Sequence, residues 1–119
     1  MIYVEHSLLY AIKGEVPDED YTVPIGLAHV ARPGKDLTIV AYLRMTQVAL
    51  QAAQELAKEG IEAEVVDLRS LRPLDRGTIL KSVAKTHRAV VVEEGWKTAG
   101  FGAEIVSTIS TEAFDSLDA

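Results

Sequence analysis

Two adjacent carboxylates, Glu93-Glu94, close an apolar run and lead into a glycine-rich turn, Gly95-Trp96-Lys97-Thr98-Ala99-Gly100-Phe101-Gly102. A carboxylate at a strand end is a candidate general acid or base. Neighbours on a strand point to opposite faces, so only one of the two can enter a given site. The glycine turn invites a phosphate cradle, because free backbone donors at a helix start attract anions. Gly95, Gly100 and Gly102 match neither the dinucleotide fingerprint nor the P-loop, and no lysine-serine pair follows. A tight strand-to-helix turn is therefore the expectation. Trp96, the only tryptophan, is expected to pack over the sheet edge.

A second turn carries two arginines. Arg69 and Arg72 flank it where an open parallel sheet presents its working edge, beyond the carboxyl ends of the strands. They are expected to pair with nearby carboxylates, with ligand or interface contact as the alternative. His6, His29 and His87 are scattered, without the i, i+4 spacing that a metal site wants. None of the serines, at positions 7, 70, 82, 107, 110 and 116, lies in a nucleophile elbow. The chain has no cysteine, which removes disulfides, thiolate metal sites and thiol nucleophiles. No catalytic, cofactor-binding or metal-binding residue is assigned on spacing.

The elements that position these groups alternate strand with helix. Leu37–Tyr42, residues 63–68 and Arg88–Glu93 read as short, nearly continuous apolar strands of the kind covered by helices on both faces. Helices are expected over about 46–59, 75–86 and 102–113. Thr46 and Asp75 are the expected caps of the first two, and Gly60 ends the first in a left-handed turn. Buried faces are expected from Val48, Ala49, Ala52, Ala53, Leu56 and Ala57, then Ile79, Leu80, Val83 and Ala84, then Ile105, Val106, Ile109 and Ala113. Pro73 stops the second strand. The pattern predicts an α/β fold, a three-layer open and mainly parallel sheet. Residues 11–36 read as a linker, with acids Glu15, Asp18, Glu19 and Asp20 and an edge strand near 28–31. The compact unit begins near Leu37.

At 119 residues the chain suits one domain. Its 48% apolar and 25% charged residues are ordinary for a folded globular protein. A net charge of −6 argues against nucleic acid and favours a basic protein partner. No apolar run approaches membrane-spanning length and no signal segment opens the chain, so no membrane is expected and a cytoplasmic location is.

Several runs carry a family likeness: Glu5-His6-Ser7-Leu8-Leu9-Tyr10, Lys13-Gly14-Glu15-Val16-Pro17, Tyr21-Thr22-Val23-Pro24-Ile25-Gly26, Asp67-Leu68-Arg69-Ser70-Leu71-Arg72-Pro73-Leu74-Asp75, Gly100-Phe101-Gly102-Ala103-Glu104-Ile105 and Phe114-Asp115-Ser116-Leu117-Asp118-Ala119. With these the chain resembles the beta subunit of thiamine diphosphate-dependent 2-oxo acid dehydrogenases of the pyruvate dehydrogenase type. The branched-chain and acetoin enzymes share much of the pattern. The resemblance implies that residues 1–36 end a pyrimidine-binding domain and its linker, and that 37–119 form a truncated transketolase-type C-terminal domain. It implies an assembly role, not catalysis by this chain alone. The cofactor-activating glutamate, the active-site histidine and a potassium-binding loop would lie before the region matching Met1, and a final strand and helix would follow Ala119. Thiamine diphosphate and magnesium would belong to the complete enzyme.

The partners so implied are an alpha subunit, a second beta subunit in a homodimer, and the basic subunit-binding domain of the lipoyl acyltransferase. The helix from Ala103 to Phe114 is the expected dimer face. Asp118 would contact the basic domain through charge-assisted bonds, with a solvated carboxylate as the alternative. An autonomous small-ligand or nucleotide-binding α/β domain is the competing function.

Overall fold

Alternation along the strands sorts their apolar side chains onto two faces, and each face is covered by helix. In the computed structural model, which describes residues 1–118, four strands form one sheet: β1 (His29–Arg32), β2 (Leu37–Ala41), β3 (Ala63–Asp67) and β4 (Ala89–Val92). Their order is β1-β3-β2-β4. β2 runs parallel to β3 with Leu37 opposite Ala63, and parallel to β4 with Thr38 opposite Ala89. β1 is antiparallel to β3 and forms the edge strand expected near 28–31. Three helices, α1 (Arg44–Lys58), α2 (Arg76–Thr86) and α3 (Phe101–Glu112), complete the three-layer α/β fold. Ala119 lies outside the described residues.

Ile39, Ala41, Ala63 and Val65 face α1 and pack on Ala49 and Ala53, whose small side chains let the helix approach the sheet. Val40, Val66 and Leu68 face the other way, against Ile79 and Val83 of α2 and Ile105 and Ile109 of α3. The core is thus two layers divided by β2 and β3.

The helices begin close to where their patterns place them, but their buried stripes are rotated. Arg44 starts α1 and Leu43 is its cap residue; Thr46 lies in the first turn, buried, and donates its hydroxyl to Asp67 Oδ1 at 3.2 Å. Val48 and Ala52 are exposed, leaving Ala49 and Ala53 fully buried. On α2 the buried positions are Ile79, Ser82, Val83 and Thr86, and Ala84 is exposed. On α3 Thr108 replaces Val106, which is half-exposed, and Ala113 is buried as expected. Asp75 does cap α2, accepting from Thr78 N–H at 3.0 Å. Its other oxygen accepts from Ala28 N–H at 2.9 Å, tying the approach to β1 onto the helix. Gly60 follows α1 at φ 83°.

The rotation of α2 has a polar cause. Thr38 and Glu64, one on each central strand, are buried on the α2 face near the strand starts. The Thr38 hydroxyl meets those of Ser82 at 2.7 Å and Thr86 at 2.6 Å. Ser82 donates to Glu64 Oε1 at 2.7 Å, and Lys85 closes an ion pair on Oε2. Gly34 N–H adds a third donor at 3.2 Å. Burial raises the Glu64 carboxyl, but bonds from Lys85, Ser82 and Gly34 outweigh it and hold it below its ordinary value.

A depressed folded pKa contributes stability that is complete above the unfolded value, 4.5, and lost as pH falls from there through the lower folded value. Urea unfolding at successive pH values below 4.5 should therefore show an acid limb that Glu64→Gln removes. Lys85→Met should destabilise by about 2 kcal/mol near neutrality, below the range for a fully enclosed pair because Lys85 is half-exposed.

Candidate functional site

The carboxyl ends of the strands gather most of the groups with chemical reach. Glu93 follows β4 and points back to the first turn of α3, where Oε2 accepts from Gly102 N–H at 2.9 Å. The Tyr42 hydroxyl, at the end of β2, donates to the same oxygen at 2.9 Å. Tyr42 also meets Phe101 edge-on, with ring centroids 6.3 Å apart. A Cβ at Gly100 or Gly102 would overlap the Glu93 carboxyl, so the glycines are there to let the carboxylate close on the helix start. The turn is thus an anion seat that the chain fills with its own carboxylate. The phosphate-cradle and acid-base candidates cancel each other. Burial, then the bond to Glu93 and its negative charge, push Tyr42 up to about 12.

Glu94 takes the opposite side, as expected for its neighbour. It bridges Arg44 Nη1 at 3.1 Å and His6 Nε2 at 3.1 Å, anchoring the amino-terminal segment to the sheet. That segment holds a short 3-10 turn, Ser7–Leu9, for which His6 Nδ1 accepts from Leu8 N–H. Ile2-Tyr3-Val4, which read as strand-like, is exposed and forms no strand.

The β3–α2 turn is held from below. Gly26 N–H donates to Ser70 Oγ at 3.0 Å, and Gly26 sits at φ 83° where a Cβ would strike Pro73. Arg69 and Arg72 are both exposed, and among the described residues neither has a carboxylate partner, contrary to expectation. The reason lies in direction: the nearest acid in the chain, Asp67, accepts from Arg69's backbone N–H and from Thr46, and Asp75 turns inward to its helix. Arg76 is the arginine that pairs, with Glu112 of α3. A cleft of about 850 Å³ opens between this turn and the start of α3.

Trp96 is 88% exposed and not packed over the sheet edge as expected; its turn is fixed through the Glu93 carboxyl and not through the indole. Asp118 pairs with Arg88 Nη2 at 3.2 Å, and its N–H donates to His87 O. His29 lies exposed on the edge strand and His87 ends α2, so the three histidines stay apart. Among the described residues no three His, Asp or Glu side chains converge as a metal site. What the sequence did not disclose is Tyr42; an aromatic hydroxyl one residue past a buried strand was the available signal.

Parallel strands 2, 3 and 4 with helices on both faces and a self-capped α3 define a member of a known class. The chain belongs to the transketolase C-terminal domain family, whose model matches residues 26–119. Over its full length it is similar to pyruvate dehydrogenase E1 component beta subunits. It is 49% identical over 123 positions to the mitochondrial subunit of Dictyostelium discoideum and 50% over 124 to that of Drosophila melanogaster, covering 35% and 34% of them. To the subunit of Staphylococcus aureus it is 47% identical over 120 positions, covering 37%. The chain therefore spans about a third of the length of these relatives. A solved structure described as a split gene transketolase, an inactive beta4 tetramer, matches 83% of this chain and 33% of its own at TM-score 0.74 and 40% identity.

These relatives correct the cytoplasmic expectation. Those of Dictyostelium and Drosophila are named as mitochondrial, whereas the bacterial one names no compartment.

The Tyr42–Glu93 bond can be read by titration. Because Tyr42 is raised from 10 to about 12, its contribution to stability is complete below 10 and lost as pH climbs from there through about 12. With Tyr3, Tyr10 and Tyr21 replaced by Phe, ultraviolet titration should show one phenol ionising near 12, and Glu93→Gln should return it toward 10.

Proposed function

We propose that this chain is an assembly and partner-binding domain of a 2-oxo acid dehydrogenase beta subunit of the pyruvate type, not the part that carries out the chemistry. The observation that supports it most is the fate of the carboxyl edge. Its best-placed carboxylate is committed to Gly102 N–H and Tyr42, and the second to Arg44 and His6. The charged side chains left without an ion-pair partner there among the described residues include Arg69, Arg72 and the exposed Glu104, a mixed-charge surface that suits contact with another protein. Similarity along the whole chain to pyruvate dehydrogenase beta subunits supplies the enzyme class.

In this reading residues 1–36 include the end of a pyrimidine-binding domain and its linker, and the transketolase-type domain comprises 37–119 together with β1, which pairs with β3 and lies within the family match over 26–119. Thiamine diphosphate and its magnesium belong to the complete enzyme. The described residues do not fit that cofactor, since Glu93 is already engaged and no acidic cluster converges to hold a cation. The partners are an alpha subunit, a second beta subunit and the basic subunit-binding domain of the lipoyl acyltransferase. Self-association is supported by the beta4 assembly of the structural neighbour. A net charge of −6 complements a basic partner.

Asp118 is the proposed contact for that domain. Its side chain remains 56% exposed while paired with Arg88, so an incoming arginine would compete with Arg88 for the carboxylate. By calorimetry, Asp118→Asn should weaken binding of the basic domain about tenfold, and Arg88→Ala should strengthen it. No change in either variant would remove Asp118 from the interface. Mixed with thiamine diphosphate and a 2-oxo acid, the 119-residue chain should neither bind the cofactor tightly nor decarboxylate the acid. Measurable turnover would refute the assembly reading.

A further inference from the structure

His87 closes α2 at φ 61°, in the left-handed region that favours glycine. Its N–H donates to Val83 O at 2.7 Å and so completes the helix end. A glycine would do that much at less conformational cost. What the imidazole adds is a bond outside the helix. Nδ1 lies 2.7 Å from Ser116 O, and because a carbonyl only accepts, Nδ1 carries the proton. The carbonyl of the same residue accepts from Asp118 N–H at 2.9 Å. His87 therefore grips the backbone on both sides of Leu117, whose side chain packs against the α2–α3 layer of the core.

Asp118 depends on that grip. The chain turns through a short 3-10 stretch, Phe114–Ser116, and its own local bonds stop when Leu117 N–H donates to Phe114 O at 3.1 Å. Beyond that point the main chain of Asp118 is held by His87, and its carboxylate by Arg88 Nη2 at 3.2 Å. The two holds are separate, since the clasp takes only the Ser116 carbonyl and the Asp118 N–H. A cation arriving at the carboxylate can displace Arg88, itself 64% exposed, without loosening the segment. A partner then meets Asp118 already ordered, which spares binding the entropy of fixing it.

We propose that His87 is the positioning residue of this contact: its ring and its carbonyl clasp residues 116–118 and hold the Asp118 carboxylate ready for a basic partner. His87 has this role only if Asp118 is the contact proposed above.

Two substitutions separate the ring from the turn. Asparagine and glycine both accept the left-handed conformation, and the asparagine amide nitrogen falls close to the place of Nδ1, whereas glycine brings no donor. By hydrogen exchange, the Asp118 amide of His87→Gly should exchange about fivefold faster than in the unchanged chain, the worth of one hydrogen bond. By calorimetry, its Kd for the basic subunit-binding domain of the lipoyl acyltransferase should rise about threefold. His87→Asn should recover most of both, and circular dichroism shows that each variant is folded. An Asp118 amide that exchanges alike in all three chains would overturn the clasp. Faster exchange with an unchanged Kd, while Asp118→Asn still weakens binding, would overturn the positioning role and leave the Asp118 contact standing. Equal losses in His87→Asn and His87→Gly would overturn the part given to the ring donor. If Asp118→Asn binds as tightly as the unchanged chain, the contact itself falls and the positioning role with it.

Discussion

Covering both faces of β2 and β3 leaves the sheet little but its edges and its carboxyl ends with which to meet another molecule. The coverage follows from the strands themselves. Ile39, Ala41 and Val65 on one side and Val40, Val66 and Leu68 on the other all demand burial, so α1 must take one face and α2 with α3 the second. Of the places that remain, β1 shields the β3 edge and anchors it through Arg32, which donates to Ala63 O and pairs with Glu62. β4 has an open side, with Val90 half-exposed. The carboxyl ends carry the loops, and three of the four non-glycine residues at positive φ, Leu43, Arg69 and Ala99, lie in them. Such conformations persist where the surroundings over-determine them. Here the surroundings are the Glu93 carboxyl, the Asp67 carboxyl and the Gly26–Ser70 bond.

How much of this is legible in the sequence depends on the range of the signal. Strands and helices are written locally: the three parallel strands lie within a residue of their expected bounds, because β-branched runs and their turns act over a few positions. Which residues of a helix face inward is written less locally. On α2 the expected stripe of Ile79, Leu80, Val83 and Ala84 is apolar, yet Ser82 and Thr86 are buried because Thr38 and Glu64 across the interface require hydroxyl partners. Hydropathy treats a serine as surface; pairing makes it core. Trp96 fails in the opposite sense, an aromatic side chain left in solvent because its turn is held through the carboxylates of Glu93 and Glu94 and not through the indole.

The candidate site divides along the same line. That Glu93 and Glu94 diverge matches the alternation expected at a strand end, although both lie just past β4, which stops at Val92. That Glu93 caps α3 and thereby closes the anion seat depends on Tyr42, distant by fifty-one residues, and on the close approach at Gly102. The arginines mislead because proximity along the chain is not proximity of side chains: Asp67 lies two residues from Arg69 and meets only its backbone. Family likeness, carried by whole runs and not by pairs, was the part of function that the sequence did express.

A division of labour within the second core layer ties these points together. Its amino-terminal end is polar, from Thr38 through Ser82 to Glu64 and Lys85, while its carboxyl end is apolar, with Val40, Leu68, Ile79 and Ile105. Apolar packing tolerates small sliding of a helix, but a chain of hydroxyls ending on a buried carboxylate admits one register only. The polar end therefore fixes α2 along the strands. With α2 fixed, Arg76 meets Glu112 of α3 and Asp75 holds Ala28, so the positions of α3 and of the amino-terminal approach follow from it. The buried ladder at one end of the layer thus holds the β3–α2 turn, the start of α3 and the approach to β1 in one arrangement at the other.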